Sequence, residues 1–128
     1  DLRDRMRRVD LDDVNFASGS WEVPAVYRAK LSRIAQAMLR IIQRNPREVF
    51  LIEGHTDAVG NPEDNLTLSD RRAEAIAIIL TQDFQVPPEN LLQQGYGETL
   101  LKIPSQASEP RNRRVTIRRV TPLLAKGN

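Results

Sequence analysis

Residues 49–73 read VFLIEGHTDAVGNPEDNLTLSDRRA, and this stretch decides the fold. An apolar run over residues 49–52 is bounded by polar and turn-forming residues, a pattern typical of a buried strand. Asn61, Pro62 and the two acidic residues that follow are helix start signals. The stretch therefore predicts a buried strand, a turn and then a helix.

The polar residues of this stretch predict a binding site. The strand would deliver Thr56 and Asp57 to one edge of a sheet, and the helix would return Asn65 and Arg72 toward the same edge. Asp57 can accept hydrogen bonds from an ammonium group, and Arg72 can donate two parallel hydrogen bonds to a carboxylate. Such a site would suit a ligand that carries both charges. The same two residues could equally form a structural ion pair, and spacing does not choose between these readings.

The remaining segments complete an α+β order. Residues 24–43 carry apolar side chains at helical spacing and predict a long amphipathic helix, and Ala73, Ile76, Ala77 and Leu80 continue the second helix. Short strands are predicted near residues 11–16, 91–97 and 113–120. The result is a two-layer sandwich of order β-α-β-α-β-β, with a mixed sheet and both helices on one face.

The last strand alternates between apolar and polar residues. Val115 and Ile117 would face the helices, while Arg114, Thr116 and Arg118 would lie on the opposite side. An alternating strand is typical of a sheet with one solvent-exposed face. We therefore expect that opposite face to be wet.

Length and composition define one domain. The chain has 128 residues, of which 40% are hydrophobic and 28% charged, as in a globular protein. We expect a linker over residues 1–10, one domain over residues 11–122 and a tail over residues 123–128. Because the chain begins with Asp1, we expect it to be cut from a longer protein, with any membrane attachment supplied by segments outside it. A net charge of only +2 argues against nucleic acid as a partner.

Other candidate motifs point to structural roles. His55 is the only histidine, and with Asp57 it has no evident third metal ligand, so we expect a structural residue and no metal site. Gly95-Tyr96-Gly97 lacks a third glycine and predicts a turn rather than a phosphate site. The arginines of residues 111–119 lack interleaved aromatic residues, which favours a solvated strand face. No cofactor is expected.

Four motifs in order resemble the OmpA-like peptidoglycan-binding domain. They are Gly54-His55-Thr56-Asp57, the Asn65–Ala73 segment NLTLSDRRA, Gly95-Tyr96-Gly97 and Asn112-Arg113-Arg114-Val115. Arg72 follows Asp57 by 15 residues, as in the family pattern. The family includes domains of OmpA-type porins, peptidoglycan-associated lipoproteins and flagellar stator proteins.

The resemblance implies non-covalent binding of the meso-diaminopimelate in the peptidoglycan stem peptide. Asp57 and Arg72 match the ligand-binding aspartate and arginine of the family. Further positions would line the pocket or contribute to it, namely Thr56, Asn65, Leu68, Arg113 and, through its backbone, Ala17. Many members have aspartate at the position of Ala17, so one potential carboxylate is missing here.

The implied setting is the periplasm of a Gram-negative-type bacterium, where the domain would tether the outer membrane or an envelope complex to the wall. One rival is a protein–protein module of an envelope assembly, with a structural Asp57–Arg72 pair and a docking face at Arg114, Thr116 and Arg118. Another rival is a wall hydrolase with Asp57 or Glu53 as its acid. A hydrolase would need a second catalytic carboxylate or a zinc site, and neither is evident, so we expect no enzyme activity.

Overall fold

The structure is a computed structural model that describes residues 7–8 and 13–120. The first strand of the sheet, β1, is Arg7–Arg8 and pairs with the last strand. These two residues fall within the linker predicted over residues 1–10, and their backbone belongs to the sheet. The predicted domain limits at residues 11 and 122 and the predicted tail over residues 123–128 lie outside the described residues.

The first helix follows from its apolar periodicity. A 3-10 turn at Ala25–Tyr27 leads into α1, Arg28–Arg44. The buried side chains of α1 lie on one face, and they are Leu31, Ile34, Ala35, Met38 and Ile42. The helix ends at Arg44, and the N–H of the capping residue Asn45 still donates to the carbonyl of Ile41. Asn45 itself is extended, because proline at the next position disfavours helical backbone before it.

The second helix, α2, is Pro62–Ile78 and begins at the predicted cap. The Asn61 side chain accepts hydrogen bonds from the backbone N–H groups of Glu63 at 2.7 Å and Asp64 at 3.3 Å. These bonds satisfy donors that have no partner within the helix. A π-helical turn at Ile79–Asp83 continues α2 and buries Leu80.

The sheet is mixed, as expected. Its other strands are β2 (Val14–Asn15), β3 (Phe50–Gly54), β4 (Leu91–Gly95) and β5 (Arg114–Arg119). The order is β1-β5-β3-β4, and β2 also pairs with β5. Strands β3 and β4 run parallel, whereas β5 runs antiparallel to β1, β2 and β3. The predicted α+β sandwich is confirmed.

The core lies between the helices and one face of the sheet. Phe50 and Ile52 of β3 and Val115 and Ile117 of β5 pack there with the apolar faces of both helices. Helix α2 approaches β3 closely at Gly54, where an added Cβ would lie 1.9 Å from the backbone oxygen of Ser69. Only glycine fits this contact, which fixes the end of β3 against the helix.

The opposite face of the sheet is not wet at its centre, contrary to expectation. Arg114 and Thr116 are 5% and 4% exposed, respectively. Thr116 donates to Oδ1 of Asp13 at 2.8 Å, and Arg114 donates to the carbonyl of Leu100 at 3.2 Å. Alternation identified the polar face correctly. Other segments of the chain cover these polar groups, and burial is tolerated because each group has a hydrogen-bond partner there.

Neither helix in the described part of the chain has the length and apolar character needed to cross a membrane.

Candidate functional site

The site lies where β3 ends. The backbone beyond Gly54 remains held on both sides, since His55 N–H donates to the carbonyl of Arg114 and Thr56 N–H donates to that of Gly97, each at 2.9 Å. Asp57 follows directly. The strand end, the loop at Gly97 and the start of β5 therefore fix the position of the carboxylate.

Asp57 is paired with Arg113. Nη1 of Arg113 lies 3.1 Å from Oδ2 of Asp57, and the two side chains are 12% and 8% exposed. The backbone N–H of Glu109 also donates to Oδ2, and that of Val59 donates to Oδ1, each at 3.3 Å. The carboxylate is thus nearly enclosed and is oriented by one guanidinium and two backbone donors.

Arg72 is fully buried and bonds to backbone carbonyls. Its Nε donates to Ser20 at 2.7 Å, Nη1 to His55 at 3.0 Å and Nη2 to Ala17 at 3.1 Å. The structural Asp57–Arg72 ion pair, which was the alternative to a binding site, is not formed among the described residues. Instead Arg72 ties the loop after β2 to the end of β3, and Arg113 neutralises the aspartate.

The cluster is electropositive. The pKa of Arg72 is lowered to about 10, chiefly by burial and next by the charge of Arg113, while the charge of Asp57 acts in the opposite direction. Two guanidinium groups and one carboxylate therefore act on one another in a desolvated region. An added carboxylate would stabilise the charged form of Arg72, so the cluster is suited to an anionic group.

Two further predicted pocket residues, Thr56 and Asn65, bond to the backbone at Asp57, and a third, Leu68, lines a cleft beside α2. The Thr56 hydroxyl donates to the carbonyl of Asp57 at 2.8 Å. The Asn65 amide donates to the carbonyl of Val59 at 3.0 Å and to Oε1 of Glu98 at 2.9 Å. Thr56 and Asn65 thus fix the backbone that carries the aspartate. Leu68 is partly exposed and, with Asn65, lines a cleft of about 370 Å³ on the side of α2.

The structure adds Glu109 to the site. Its backbone N–H binds Asp57, while its side chain accepts from the backbone N–H and the guanidinium of Arg111. This pairing caps a 3-10 turn at Pro110–Asn112, directly before Arg113. A glutamate followed by proline was the one available sequence signal for this cap. Ser20 gave no signal, because it contributes only its carbonyl to Arg72.

His55 occupies a structural position. It is fully buried, its Nε2 lies 3.1 Å from Oε1 of Glu53, and its ring stacks on Tyr96 with centroids 5.4 Å apart. Glu53 also binds Nε of Arg118 at 2.8 Å. A hydrolase that used Glu53 as its acid has no support here, because that carboxylate is fully buried and already paired.

The docking face of the protein–protein alternative is not available as predicted. Arg114 and Thr116 are buried, and Arg118 is held by Glu53. The structural Asp57–Arg72 pair on which that alternative also depended is replaced by the Asp57–Arg113 pair. Both of its structural premises are therefore wrong for the described residues.

Comparison with known proteins identifies close relatives. The model of the OmpA family matches residues 15–115. Outer membrane porin F of Pseudomonas aeruginosa is 34% identical over 110 residues, which are 84% of this chain and 30% of that protein. Outer-membrane lipoprotein YfiB of the same organism is 34% identical over 92 residues, 70% of this chain and 52% of that protein. The matched region is about a third of the porin and about half of the lipoprotein.

Solved structures share the fold. The peptidoglycan-associated lipoprotein from Burkholderia pseudomallei has a TM-score of 0.71 and 29% identity, over 84% of this chain and 88% of that one. The C-terminal domain of Helicobacter pylori MotB has a TM-score of 0.70 and 28% identity, over 84% and 83% of the two chains. Both likenesses support the fold of two helices and a mixed sheet described above.

Proposed function

The chain belongs to the OmpA family, and on that premise we propose that it binds cell-wall peptidoglycan without a covalent bond. The ligand group is the meso-diaminopimelate of the stem peptide, and the site is formed by Asp57, Arg72 and Arg113 with Thr56, Asn65, Leu68 and the backbone of Ala17. The single observation that carries this proposal is the desolvated cluster of two guanidinium groups around one carboxylate.

The free end of diaminopimelate carries an ammonium and a carboxylate on one carbon. Asp57 accepts hydrogen bonds from the ammonium, and the carboxylate binds the guanidinium groups. Asp57 and the arginines are not free to bind the ligand independently, because Asp57 is already paired with Arg113 at 3.1 Å. The ligand therefore inserts between an acid and a base that neutralise each other in its absence.

Arg72 needs a local rearrangement before it can bind the ligand directly. All three of its bonded nitrogens donate to carbonyls of Ala17, Ser20 and His55, and the residue is 0% exposed. Arg113 retains some exposure and meets an incoming carboxylate first. A shift of the exposed loop that contains Ala17 would then free a donor of Arg72 for the same group.

Affinity for one stem peptide should be modest. A hydrogen bond to a charged group contributes roughly 1.5–3 kcal/mol in net terms. Displacing the existing Asp57–Arg113 contacts and immobilising the ligand oppose this gain, which suggests a dissociation constant of about micromolar at best. Many identical stem peptides on one polymer compensate for weak single contacts.

This function implies a location and a role. Peptidoglycan lies in the periplasm of Gram-negative-type bacteria, so the domain would act on the periplasmic side of the outer membrane. It would tether that membrane or an envelope complex to the wall. The proposed binding requires no cofactor, no metal and no catalytic step.

Retention on purified diaminopimelate-type sacculi tests the proposal. We expect Asp57→Asn and Arg113→Ala each to lose most of the retention of the wild-type chain. Asp57→Asn is chosen because it keeps the shape of the side chain and one of the two oxygens that accept backbone hydrogen bonds, but removes the charge. Thermal unfolding followed by circular dichroism verifies that each variant is folded at the assay temperature.

Two exposed residues provide matched controls. Glu74→Gln removes a carboxylate from α2, and Arg33→Ala removes a guanidinium from α1, both outside the cluster. We expect both controls to bind sacculi like the wild type. Undiminished retention of folded Asp57→Asn and Arg113→Ala, or equal losses in the controls, would rule out the proposed site.

A further inference from the structure

Trp21 is a prominent aromatic residue beside the cluster. It is the only tryptophan in the chain, and 48% of its surface is exposed. The guanidinium carbon of Arg71 lies 5.1 Å from the centre of its ring, a cation–π contact that supports the ring from α2. The adjacent Ser20 carbonyl is held by Arg72 at 2.7 Å. The ring is thus exposed but anchored.

Two clefts, each of about 370 Å³, meet at Trp21. The first is formed by the loop itself, from Ser18 to Glu22. The second lies between that loop and α2, and its other lining residues are Gly19, Asp64, Asn65, Thr67, Leu68 and Arg71. The second cleft adjoins the cluster through Asn65, whose side chain donates to the carbonyls of Asp57 and Val59.

The lining indicates the chemistry of the ligand. Asp64 and Arg71 give the second cleft one charge of each sign, so it does not select for a charged group. Thr67 and Asn65 add a hydroxyl and an amide beside the flat ring. A ligand with a flat apolar face and a rim of neutral hydrogen-bonding groups fits this combination. Sugars with an acetamido group have this character.

We propose that Trp21 and its cleft bind an N-acetylated hexosamine ring of the glycan strand, stacked on the indole. This subsite rests on the proposed function, because the stem peptide links the sugar to the cluster around Asp57. The polar rim of the sugar would exchange hydrogen bonds with Asp64 and Thr67. Arg71 of α2 would hold the orientation of the indole through its cation–π contact.

The spacing agrees with one ligand that spans both sites. The lining residues on α2 run from Asp64 to Arg71, so the cleft extends from beside Arg72 to roughly 12 Å from it along the helix axis. The short peptide between diaminopimelate and the sugar spans about 10 Å when extended. The two subsites are thus separated by a distance that a single stem peptide with its sugar can cover.

Binding of two related ligands tests the subsite. One is a disaccharide–stem peptide that contains diaminopimelate, and the other is the same peptide without sugars. Since the chain has one tryptophan, its intrinsic fluorescence reports on Trp21 directly. We expect the sugar-bearing ligand to change the emission and to bind roughly fivefold more tightly than the bare peptide in calorimetry, as a stacked aromatic contact at an interface typically contributes.

Trp21→Ala should abolish this difference while the affinity for the bare peptide stays unchanged. Trp21→Phe keeps a flat ring and should retain most of the difference. Leu92→Ala, which truncates another half-exposed apolar side chain on β4, should retain all of it. Trp21 lies in an exposed loop, so its variants should fold.

The outcomes separate the two proposals. Equal affinity of the wild-type chain for both ligands, or an equal loss of both in Trp21→Ala, would overturn the sugar subsite while the proposed function stands. Failure of the wild-type chain to bind either ligand would overturn the proposed function and the subsite with it.

Discussion

Nε of Arg72 donates to the carbonyl oxygen of Ser20 at 2.7 Å, across 52 positions of sequence. Two further donors of the same guanidinium bind the carbonyls of Ala17 and His55. A side chain that resemblance identifies as a ligand-binding residue is therefore also the structural link between α2, the loop after β2 and the end of β3. Its removal would affect the fold as well as binding.

Arg72→Ala should therefore destabilise the domain. The substitution leaves three carbonyls without this donor and opens a cavity, and we expect the free energy of unfolding to fall by about 3 kcal/mol or more. Urea denaturation followed by circular dichroism measures the change. Arg33→Ala, an exposed arginine-to-alanine change on α1, should stay within about 0.5 kcal/mol of the wild type. Similar stabilities of the two variants would contradict the structural role of Arg72.

Gly54→Ala should disrupt the contact between β3 and α2. The added methyl group would lie 1.9 Å from the backbone oxygen of Ser69, and backbone atoms cannot retreat as a flexible side chain can. We expect a loss of at least about 2 kcal/mol in the free energy of unfolding, from overpacking. Gly19→Ala is the comparison, because Gly19 has φ +70° and open space around it, so only about 1 kcal/mol of backbone strain is expected. The prediction fails if Gly19→Ala is the more damaging change.

Glu109 should remain ionised in unusually acidic solution. Hydrogen bonds from the Arg111 side chain and backbone lower the pKa of its carboxyl from 4.5 to about 2. A carboxyl pKa that is lower in the folded state stabilises the fold above the unfolded pKa, and this contribution is lost as pH falls from about 4.5 through about 2. An NMR titration of the carboxyl carbon measures the midpoint. In Arg111→Ala the midpoint should rise toward 4.5, and an unchanged midpoint would show that Arg111 is not the cause.

Sacculi with lysine in place of diaminopimelate should retain the chain less well. Lysine has the side-chain ammonium for Asp57 but lacks the second carboxylate for the guanidinium groups of Arg72 and Arg113. A pull-down with both types of sacculi at equal mass and equal salt measures the preference. We expect Arg113→Ala to bind the two types with a smaller difference than the wild type. Equal retention of the wild-type chain on both would contradict the assigned pairing.

The sequence by itself determined the fold, because its signals are local. Apolar spacing along α1 and α2, the Asn61 cap and the proline after Asn45 each act within a few residues, and the structure forms the corresponding elements. The alternation in β5 also separated the core side from the polar side correctly. Resemblance in four short motifs then named the family, which the match over residues 15–115 confirms.

Only the tertiary structure decided which charges meet. Asp57 interacts electrostatically with two arginines, Arg72 and Arg113, but of these two it forms an ion pair only with Arg113, which is 56 positions away. That pairing depends on the 3-10 turn that Glu109 caps. Arg72 binds backbone carbonyls, which are present at every residue and so leave no mark in a sequence. Burial of Arg114 and Thr116 likewise depends on Asp13 and the loop at Leu100. Local periodicity specifies a face of a strand or helix, whereas the partners of buried charges are specified by segments that meet only in the folded chain.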